Sequence, residues 1–180
     1  MKTEYLLNEQ VKMVLSALTP SNQLVCETSL HTGLRVSDVL MLKTEQIKPR
    51  FWVKEQKTGK SKLVGIPEYL RERLLAQAGE IWVFPSRCDP EKHRTRQAVW
   101  ADVKRAQRAF RLRQNVGPHS FRKDYAVELM RRYGDIEKVR RALNQGSVEV
   151  AMIYAMADAL LLAHASGGHP YRWKKGKTLR

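Results

Sequence analysis

The stretch FWVKEQKTGKSKLVGI, residues 51–66, decides the fold class of this chain. Two short runs, 51–56 and 61–66, are rich in β-branched and aromatic residues and flank the tetrapeptide KTGK. This pattern predicts two antiparallel strands, with Gly59 supplying the turn. A small β-hairpin is therefore expected in the middle of the chain.

Outside the hairpin, the apolar residues mostly recur at helical spacing. The segments with this spacing are 8–18, 21–32, a short helix from Ser37, 68–78, 95–110, 120–133, 135–143, and a last one from 147 into the apolar run near 160. Glycines 33, 79, 134 and 146 stand at helix ends, Pro67 opens a helix, and 81–85 reads as a short extended piece. We predict an α+β fold, mainly α-helical with a small antiparallel β-sheet, in one domain over residues 1–180 with a basic tail at 166–180.

The charge balance points to a polyanionic partner. The chain has 33 Lys and Arg against 18 Asp and Glu, a formal net charge of +15 over 180 residues. Nine basic and three acidic residues lie in 87–113, and the last ten residues hold five basic and no acidic ones. Nucleic acid is the first candidate and an anionic membrane is the second. The alternative is a basic protein whose charge serves no polyanionic partner.

Several other classes are disfavoured by composition. The two cysteines, Cys26 and Cys88, form no CxxC pair, no Cys/His set has zinc-ligand spacing, and the acids are scattered. We therefore expect no metal and no cofactor. The first ten residues lack the apolar core of a signal peptide, and the longest apolar run is too short to cross a bilayer. The expected location is cytoplasmic.

Individual motifs are weak when each is taken alone. TGLRVSD places Arg35 just after a helix-ending glycine, and GPHSFR places His119 and Arg122 three residues apart where a Gly-Pro turn enters a helix. Lys57 stands at the hairpin tip, where lysines often serve solubility only. Tyr154 lies among apolar residues and alone reads as a half-buried tyrosine.

Taken together and in chain order, these motifs resemble the catalytic domain of tyrosine recombinases, the phage integrase family. HSFR matches the family's His-x-x-Arg, LNQ stands where it usually has Leu-Gly-His, and a tyrosine follows at the family's spacing. The match runs from about Leu6 to Asp158. The implied catalytic residues are Arg35, Lys57, His119, Arg122, Gln145 and Tyr154.

The resemblance implies DNA strand exchange through a 3′-phosphotyrosine intermediate, without metal or ATP. Two guanidiniums suit the charge that builds on the phosphate oxygens. Tyrosine, with a pKa near ~10, needs a base, and histidine, with a pKa near ~6.5, can take the proton. Lys57 is the expected donor to the leaving 5′-oxygen, and Asp38 is a candidate partner that orients Arg35.

The same resemblance implies double-stranded DNA as the partner and a homo-oligomer, a tetramer, on that DNA. It also implies that the host is a bacterial cell or a phage-infected one. We expect the basic side of the helix at 95–110 to contact phosphates. The candidate residues for this contact are Arg94, Arg96, Lys104 and Arg108.

Two departures from the family pattern stand out. Gln145 replaces a histidine, and an amide can donate a hydrogen bond but cannot be protonated. The chain also begins at the first catalytic-domain helix, with no N-terminal core-binding domain, so a fragment and a short form both remain open. The apolar run ALLLAHA at 159–165 packs either on its own subunit or on a neighbour.

Two other functions remain open. One is a nicking-closing enzyme like a type IB topoisomerase, which shares this active-site logic. The other is a catalytically weakened DNA-binding or regulatory module, with Gln145 as its first sign. Neither the target DNA sequence nor the choice among integration, excision and inversion can be read from the residues.

Overall fold

The computed structural model describes residue 6 and residues 8–144, and it confirms the expected fold class. Gln145, Tyr154 and the helix expected from 147 lie outside the described residues. The helices within that part of the chain are α1 (Asn8–Ser16), α2 (Pro20–Thr32), α3 (Val36–Leu40), α4 (Glu68–Gln77), α5 (Arg96–Ala109), α6 (Pro118–Tyr133) and α7 (Ile136–Ala142), with a 3₁₀ turn at Thr44–Gln46.

The predicted hairpin forms from β1 (Arg50–Lys54) and β2 (Ser61–Gly65), which pair antiparallel. Phe51 lies opposite Val64, and both side chains are buried. Gly59 has a φ of +65°, the left-handed conformation that favours glycine, so the turn closes as the sequence indicated. The hairpin therefore has one inward face against the helices and one face in solvent.

Helix α2 is the central element of the fold, since it contacts α1, α3, α4, α5 and α6. It ends at Gly33, which has a φ of +65° and donates its N–H to the carbonyl of Ser29 at 2.8 Å. A Cβ at Gly33 would lie 2.3 Å from the Tyr125 ring of α6. Glycine is therefore required there for the backbone turn and for the close approach of α6.

Two helix boundaries differ from the sequence prediction by two residues, namely the end of α1 and the start of α6, which begins at Pro118 and not at Ser120. Helix α1 ends at Ser16, two residues before the predicted end. The segment 81–85 forms only two isolated bridges, Lys43 with Trp82 and Pro85 with His93. Because Pro85 has no N–H to donate, this segment cannot continue a ladder past its end.

The core has two parts. The larger cluster draws side chains from each of the helices α1 to α5, from the hairpin and from the start of α6. A small separate cluster between α6 and α7 consists of Ala126, Val139 and Leu143. Within the described residues, no helix is long and apolar enough to cross a membrane.

Candidate active site

Arg35 lies where the chain turns from α2 into α3. It is the N-cap residue of α3, with extended backbone, so the tight turn after Gly33 aims its side chain. Its Nη1 donates to Oε2 of Glu55 at 2.8 Å and lies 3.8 Å from Oδ2 of Asp38. The side chain keeps 16% of its surface exposed, so one edge of the guanidinium still faces solvent.

Arg122 projects from α6 onto the same turn. Its Nη1 donates to the carbonyl of Gly33 at 2.7 Å, and its Nη2 donates to the carbonyl of Leu143 at 2.8 Å. Nη1 also lies 3.8 Å from Oε1 of Glu55, and the side chain is only 3% exposed. The two arginines therefore converge on one buried carboxylate, from two helices far apart in sequence.

His119 lies in the first turn of α6, one turn before Arg122. It remains exposed, and it lines a cavity of about 520 Å³ together with Arg35 and Trp100. Burial of part of the ring, followed by the charges of nearby cations, lowers the pKa of His119 to about 4. Those cations are Arg122, Lys123, Arg35 and Lys57. The ordinary value near 6.5 expected from the sequence is thus wrong for this setting, and the ring is neutral at physiological pH.

Lys57 is exposed in the hairpin turn, as expected. Its charge is one of those that lower the pKa of His119, so it belongs to the same electrostatic environment. The turn that carries it is anchored at its base, because the N–H of Gly59 donates to the carbonyl of Glu55 at 2.8 Å.

Asp38 is buried, and its main contact is with the hairpin. Its Oδ1 accepts the N–H of Gln56 at 2.9 Å, which joins α3 to the residue before Lys57. Burial raises the pKa of Asp38, opposed by that hydrogen bond and by Arg35 and Arg122. Asp38, which was predicted to orient Arg35, thus lies farther from the Arg35 guanidinium than Glu55 does, and Glu55 makes the direct hydrogen bond.

Glu55 was missed by the sequence analysis, although the strand pattern contains the signal. Side chains alternate along a strand, so Glu55 shares the inward face of Phe51 and Val53. It is fully buried. A charged residue at an inward position requires a partner of opposite charge, and that requirement points to a buried ion pair.

The sequence analysis also missed Lys62, a second charged residue on the inward face of the hairpin. It pairs with Val53 across the hairpin, and its Nζ donates to the carbonyl of Thr32 at 2.5 Å. It also lies 5.4 Å from the centroid of the Tyr125 ring. Burial, followed by the charge of Arg122, lowers the pKa of Lys62 to about 8.

The predicted DNA-contacting residues divide between two sides of α5. Arg96 lines the cavity beside His119, together with the exposed Trp100. Arg94 and Arg108 line a different pocket of about 910 Å³, on the side of the N-terminus of α2. Buried Asp102 belongs to this second pocket, and its Oδ2 accepts hydrogen bonds from residues 19 and 22.

Lys104 is the least available of the four predicted contacts. Its Nζ donates to Oε1 of Gln107 at 2.7 Å and to Oδ1 of Asn115 at 2.6 Å. Burial, followed by the charge of Arg108, lowers its pKa. Any phosphate contact by Lys104 would have to compete with these two amides.

The chemistry available here is the binding of an anion by fixed cations. Over residues 6 and 8–144, no group of three or more His, Cys, Asp or Glu side chains could hold a metal ion. Gln145 follows directly after Asn144, the last described residue, and its own placement and that of Tyr154 are outside this description.

The fold is that of tyrosine recombinase catalytic domains. A XerH site-specific recombinase bound to its difH substrate superposes with a TM-score of 0.72 at 20% identity, covering 91% of this chain and 52% of that one. A lambda integrase dimer bound to a COC′ core site gives a TM-score of 0.70 at 19% identity, with coverages of 86% and 60%. The catalytic domain of bacteriophage HP1 integrase gives 0.63 at 19% identity, and the match covers 95% of this chain and all of that one.

The chain belongs to the phage integrase family, whose family model matches residues 4–160. The integrase of Escherichia phage P2 is 28% identical over 174 residues, covering 93% of this chain and 49% of the relative. A tyrosine recombinase of Thermosipho africanus is 25% identical over 162 residues, with coverages of 84% and 56%. The chain thus spans about half the length of these curated relatives.

Proposed function

We propose that this chain is the catalytic domain of a site-specific DNA recombinase or integrase. It cleaves and rejoins DNA strands through a 3′-phosphotyrosine intermediate, with Tyr154 as the nucleophile. The observation that carries this proposal is that Arg35 and His119 line one open cavity, while the buried Arg122 lies beside the carboxylate of Glu55, which bonds Arg35. Family membership supplies the reaction class, and this geometry supplies a place for one phosphodiester.

In the proposed reaction, the Tyr154 oxygen attacks phosphorus and the 5′-oxygen of the next nucleotide leaves. Arg35 and Arg122 stabilise the charge that develops on the non-bridging oxygens. A preorganised donor of this kind typically contributes about 3–4 kcal/mol to the transition state. Because the phosphodiester bond energy is kept in the protein–DNA link, the step needs no ATP. The two guanidiniums are proposed to supply the charge stabilisation for which other phosphodiester enzymes use a metal ion.

Two protons must move in this step. The Tyr154 proton passes to His119, which is neutral in the free protein and can accept it. A bound phosphate places negative charge beside the ring and so raises the pKa of His119 toward the useful range. Lys57 donates a proton to the leaving 5′-oxygen from the hairpin turn.

DNA is proposed to cross the Arg96 side of α5. The cavity beside His119 opens between Arg35 and the exposed Trp100, so a duplex with its scissile phosphate there lies against this side. Arg94 and Arg108 are proposed to make more distant phosphate contacts. We further propose that residues 1–180 form a single catalytic domain that works as a homotetramer on double-stranded DNA.

The test is covalent trapping on DNA. The full chain is incubated with a pool of nicked duplexes that carry a randomised core, and protein-linked DNA is isolated under denaturing conditions and sequenced. The nick lets a short product diffuse away, so cleavage cannot be reversed. We expect an adduct from the parent and none from Tyr154→Phe, with equal DNA affinity for both.

Two outcomes would redirect the proposal. An adduct that survives in Tyr154→Phe would mean that another tyrosine, such as Tyr125, Tyr133 or Tyr171, is the nucleophile. Efficient relaxation of supercoiled plasmid by the monomer, with no exchange between two duplexes, would favour the topoisomerase-like alternative. Tight DNA binding with no adduct on any substrate would favour the regulatory module.

A further inference from the structure

We propose that Glu55 is a positioning residue for strand cleavage, holding the two arginines and the Lys57 turn in one arrangement. This inference rests on the proposed function. Its basis is that a single buried carboxylate contacts Arg35, lies beside Arg122 and closes the hairpin turn.

The carboxylate is shared between the arginines. Oε2 accepts hydrogen bonds from Nη1 of Arg35 at 2.8 Å and from the hydroxyl of Thr58 at 2.9 Å. Oε1 lies 3.8 Å from Nη1 of Arg122, and among the described residues it accepts no hydrogen bond. One oxygen therefore orients Arg35, while the other faces Arg122 as a counter-charge.

The negative charge itself is required by this geometry. Arg35 and Arg122 are like charges held near each other, with Arg122 almost fully buried, and burying a charge costs free energy unless it is paired. The amide introduced by Glu55→Gln would keep the shape of the side chain and could still accept from Arg35. It would not offset the repulsion between the two guanidiniums, so their spacing would change.

The same residue also organises the hairpin turn. The N–H of Glu55 donates to the carbonyl of Lys60 at 3.0 Å, and its carbonyl accepts the N–H of Gly59 at 2.8 Å. Lys57 lies between these closures. These two closures are made by the backbone of Glu55, and its side chain adds the bond from the Thr58 hydroxyl to Oε2, the oxygen that also accepts from Arg35. The turn and the Arg35 guanidinium are thus linked through that oxygen.

Glu55 does not occupy the position that is proposed for the scissile phosphate. It is fully buried, whereas Arg35 and His119 line a cavity that is open to solvent. The carboxylate therefore lies behind the guanidiniums, and a phosphate approaches from the opposite, open side. Glu55 acts on the reaction only through the groups that it holds.

The experiment compares Glu55→Gln and Glu55→Asp with the parent in single-turnover cleavage of the trapped site at saturating enzyme. Glu68→Gln is the matched control, since Glu68 is an exposed acid that pairs with Arg71 on its own helix. We expect Glu55→Gln to slow cleavage by about 10²-fold, the loss typical of one preorganised donor, with DNA affinity nearly unchanged. Glu55→Asp keeps the charge and should recover part of the rate, and Glu68→Gln should match the parent.

A neutral substrate separates positioning from a general structural defect. Replacing one non-bridging oxygen of the scissile phosphate with a methyl group removes the charge that the arginines stabilise. The loss caused by Glu55→Gln should then shrink severalfold. Likewise, Glu55→Gln added to Arg35→Ala should cost much less than Glu55→Gln alone, since contacting residues are not additive. Equal losses on both substrates, or full additivity, would overturn the proposal.

A readout without DNA keeps the proposal testable if the chain forms no adduct. In nuclear magnetic resonance spectra of the full chain, the side-chain N–H signals of Arg35 should be protected from exchange in the parent and in Glu68→Gln but not in Glu55→Gln. If Glu55→Gln does not fold, Thr58→Val removes one donor to the same oxygen and should weaken that protection. Unchanged Arg35 signals in the folded variant would show that Glu55 does not hold the guanidinium, whatever the reaction is. A parent that shows this protection but gives no adduct would contradict the proposed function alone.

Discussion

At the residue scale, the site depends on how neighbouring charges change each group. His119 carries the clearest change, because partial burial and four nearby cations lower its pKa to about 4. The group that the sequence offers as a base is therefore fully deprotonated near neutral pH and is a weak base until a phosphate arrives. The same cations that bind the phosphate thus tune the proton acceptor.

The titration of His119 is directly measurable. In the folded free protein its ring signals should titrate with a pKa of about 4, and in urea-unfolded protein near the ordinary ~6.5. As the pH falls between these values the unfolded chain binds the proton first, so the contribution of His119 to stability decreases. Binding of a non-cleavable duplex should raise the folded value. A midpoint near 6.5 in the free protein would contradict the electrostatic account of the site.

Gln145 is the residue at which the chain departs from its family pattern. In the proposed reaction an amide there would supply a neutral hydrogen bond to the phosphate, and hydrogen bonds to charged groups contribute about 1.5–3 kcal/mol. Gln145→Ala should slow single-turnover cleavage by roughly ten- to a hundredfold, and Gln145→His should leave the rate equal or higher. DNA affinity should change little in either variant. An alanine variant as fast as the parent would mean that this side chain makes no contact with the phosphate.

At the element scale, the end of α2 and the two sides of α5 matter most. The Gly33 turn is held from several directions, by the carbonyl bond to Arg122, by the Lys62 bond to Thr32 and by the Tyr125 ring. This turn orients the side chain of Arg35. The orientation of Arg35 therefore depends on how α6 packs against α2.

Alanine substitutions at Gly33 and Gly59 separate the cost of backbone strain from the cost of a steric clash. Gly33 and Gly59 have the same positive φ of 65°, but a Cβ at Gly59 meets nothing within 4 Å while one at Gly33 meets Tyr125. Gly59→Ala should lower the free energy of unfolding by about 1–2 kcal/mol from strain alone. Gly33→Ala should cost clearly more, measured by chemical denaturation. Equal losses would show that Tyr125 moves away without cost.

Helix α5 offers a test of which side faces DNA. Arg96→Glu should weaken binding to any duplex and should lower cleavage strongly, because Arg96 lines the cavity beside His119. Arg108→Glu, on the other side of α5, should weaken binding less and leave cleavage at saturation unchanged. Each lost phosphate contact should reduce the slope of log affinity against log salt by about one. A larger slope change for Arg108→Glu would place the duplex on the opposite side of the helix.

At the scale of the whole molecule, the chain carries a net charge of +15 and spans about half the length of the curated relatives that it matches. The charge favours DNA of any sequence through counterion release, and it supplies affinity without specificity. For the proposed DNA site, Trp100 and Arg96, which are exposed beside the cavity, are candidates for base contacts.

Much of the fold was determined by the sequence itself. Gly33, Gly59 and the Gly-Pro step before α6 mark element ends, because backbone conformation at such residues is a local property. The change from helical to alternating spacing at 51–66 predicted the hairpin, and the order of motifs predicted the family. The placement of Arg35, Lys57 and His119 in one environment follows from these local features once the family fold is assumed.

Only the tertiary structure decided how the charged groups act on each other. Contacts between distant segments decide that Glu55 and not Asp38 bonds Arg35 and that the half-buried Lys62 lies over the Tyr125 ring. They also decide that the basic residues in and before α5 divide between two pockets. The lowered pKa of His119 likewise results from burial and then from cations in three separate parts of the chain. Such interactions depend on distance and on exclusion of water, which exist only after the helices and the hairpin have packed together.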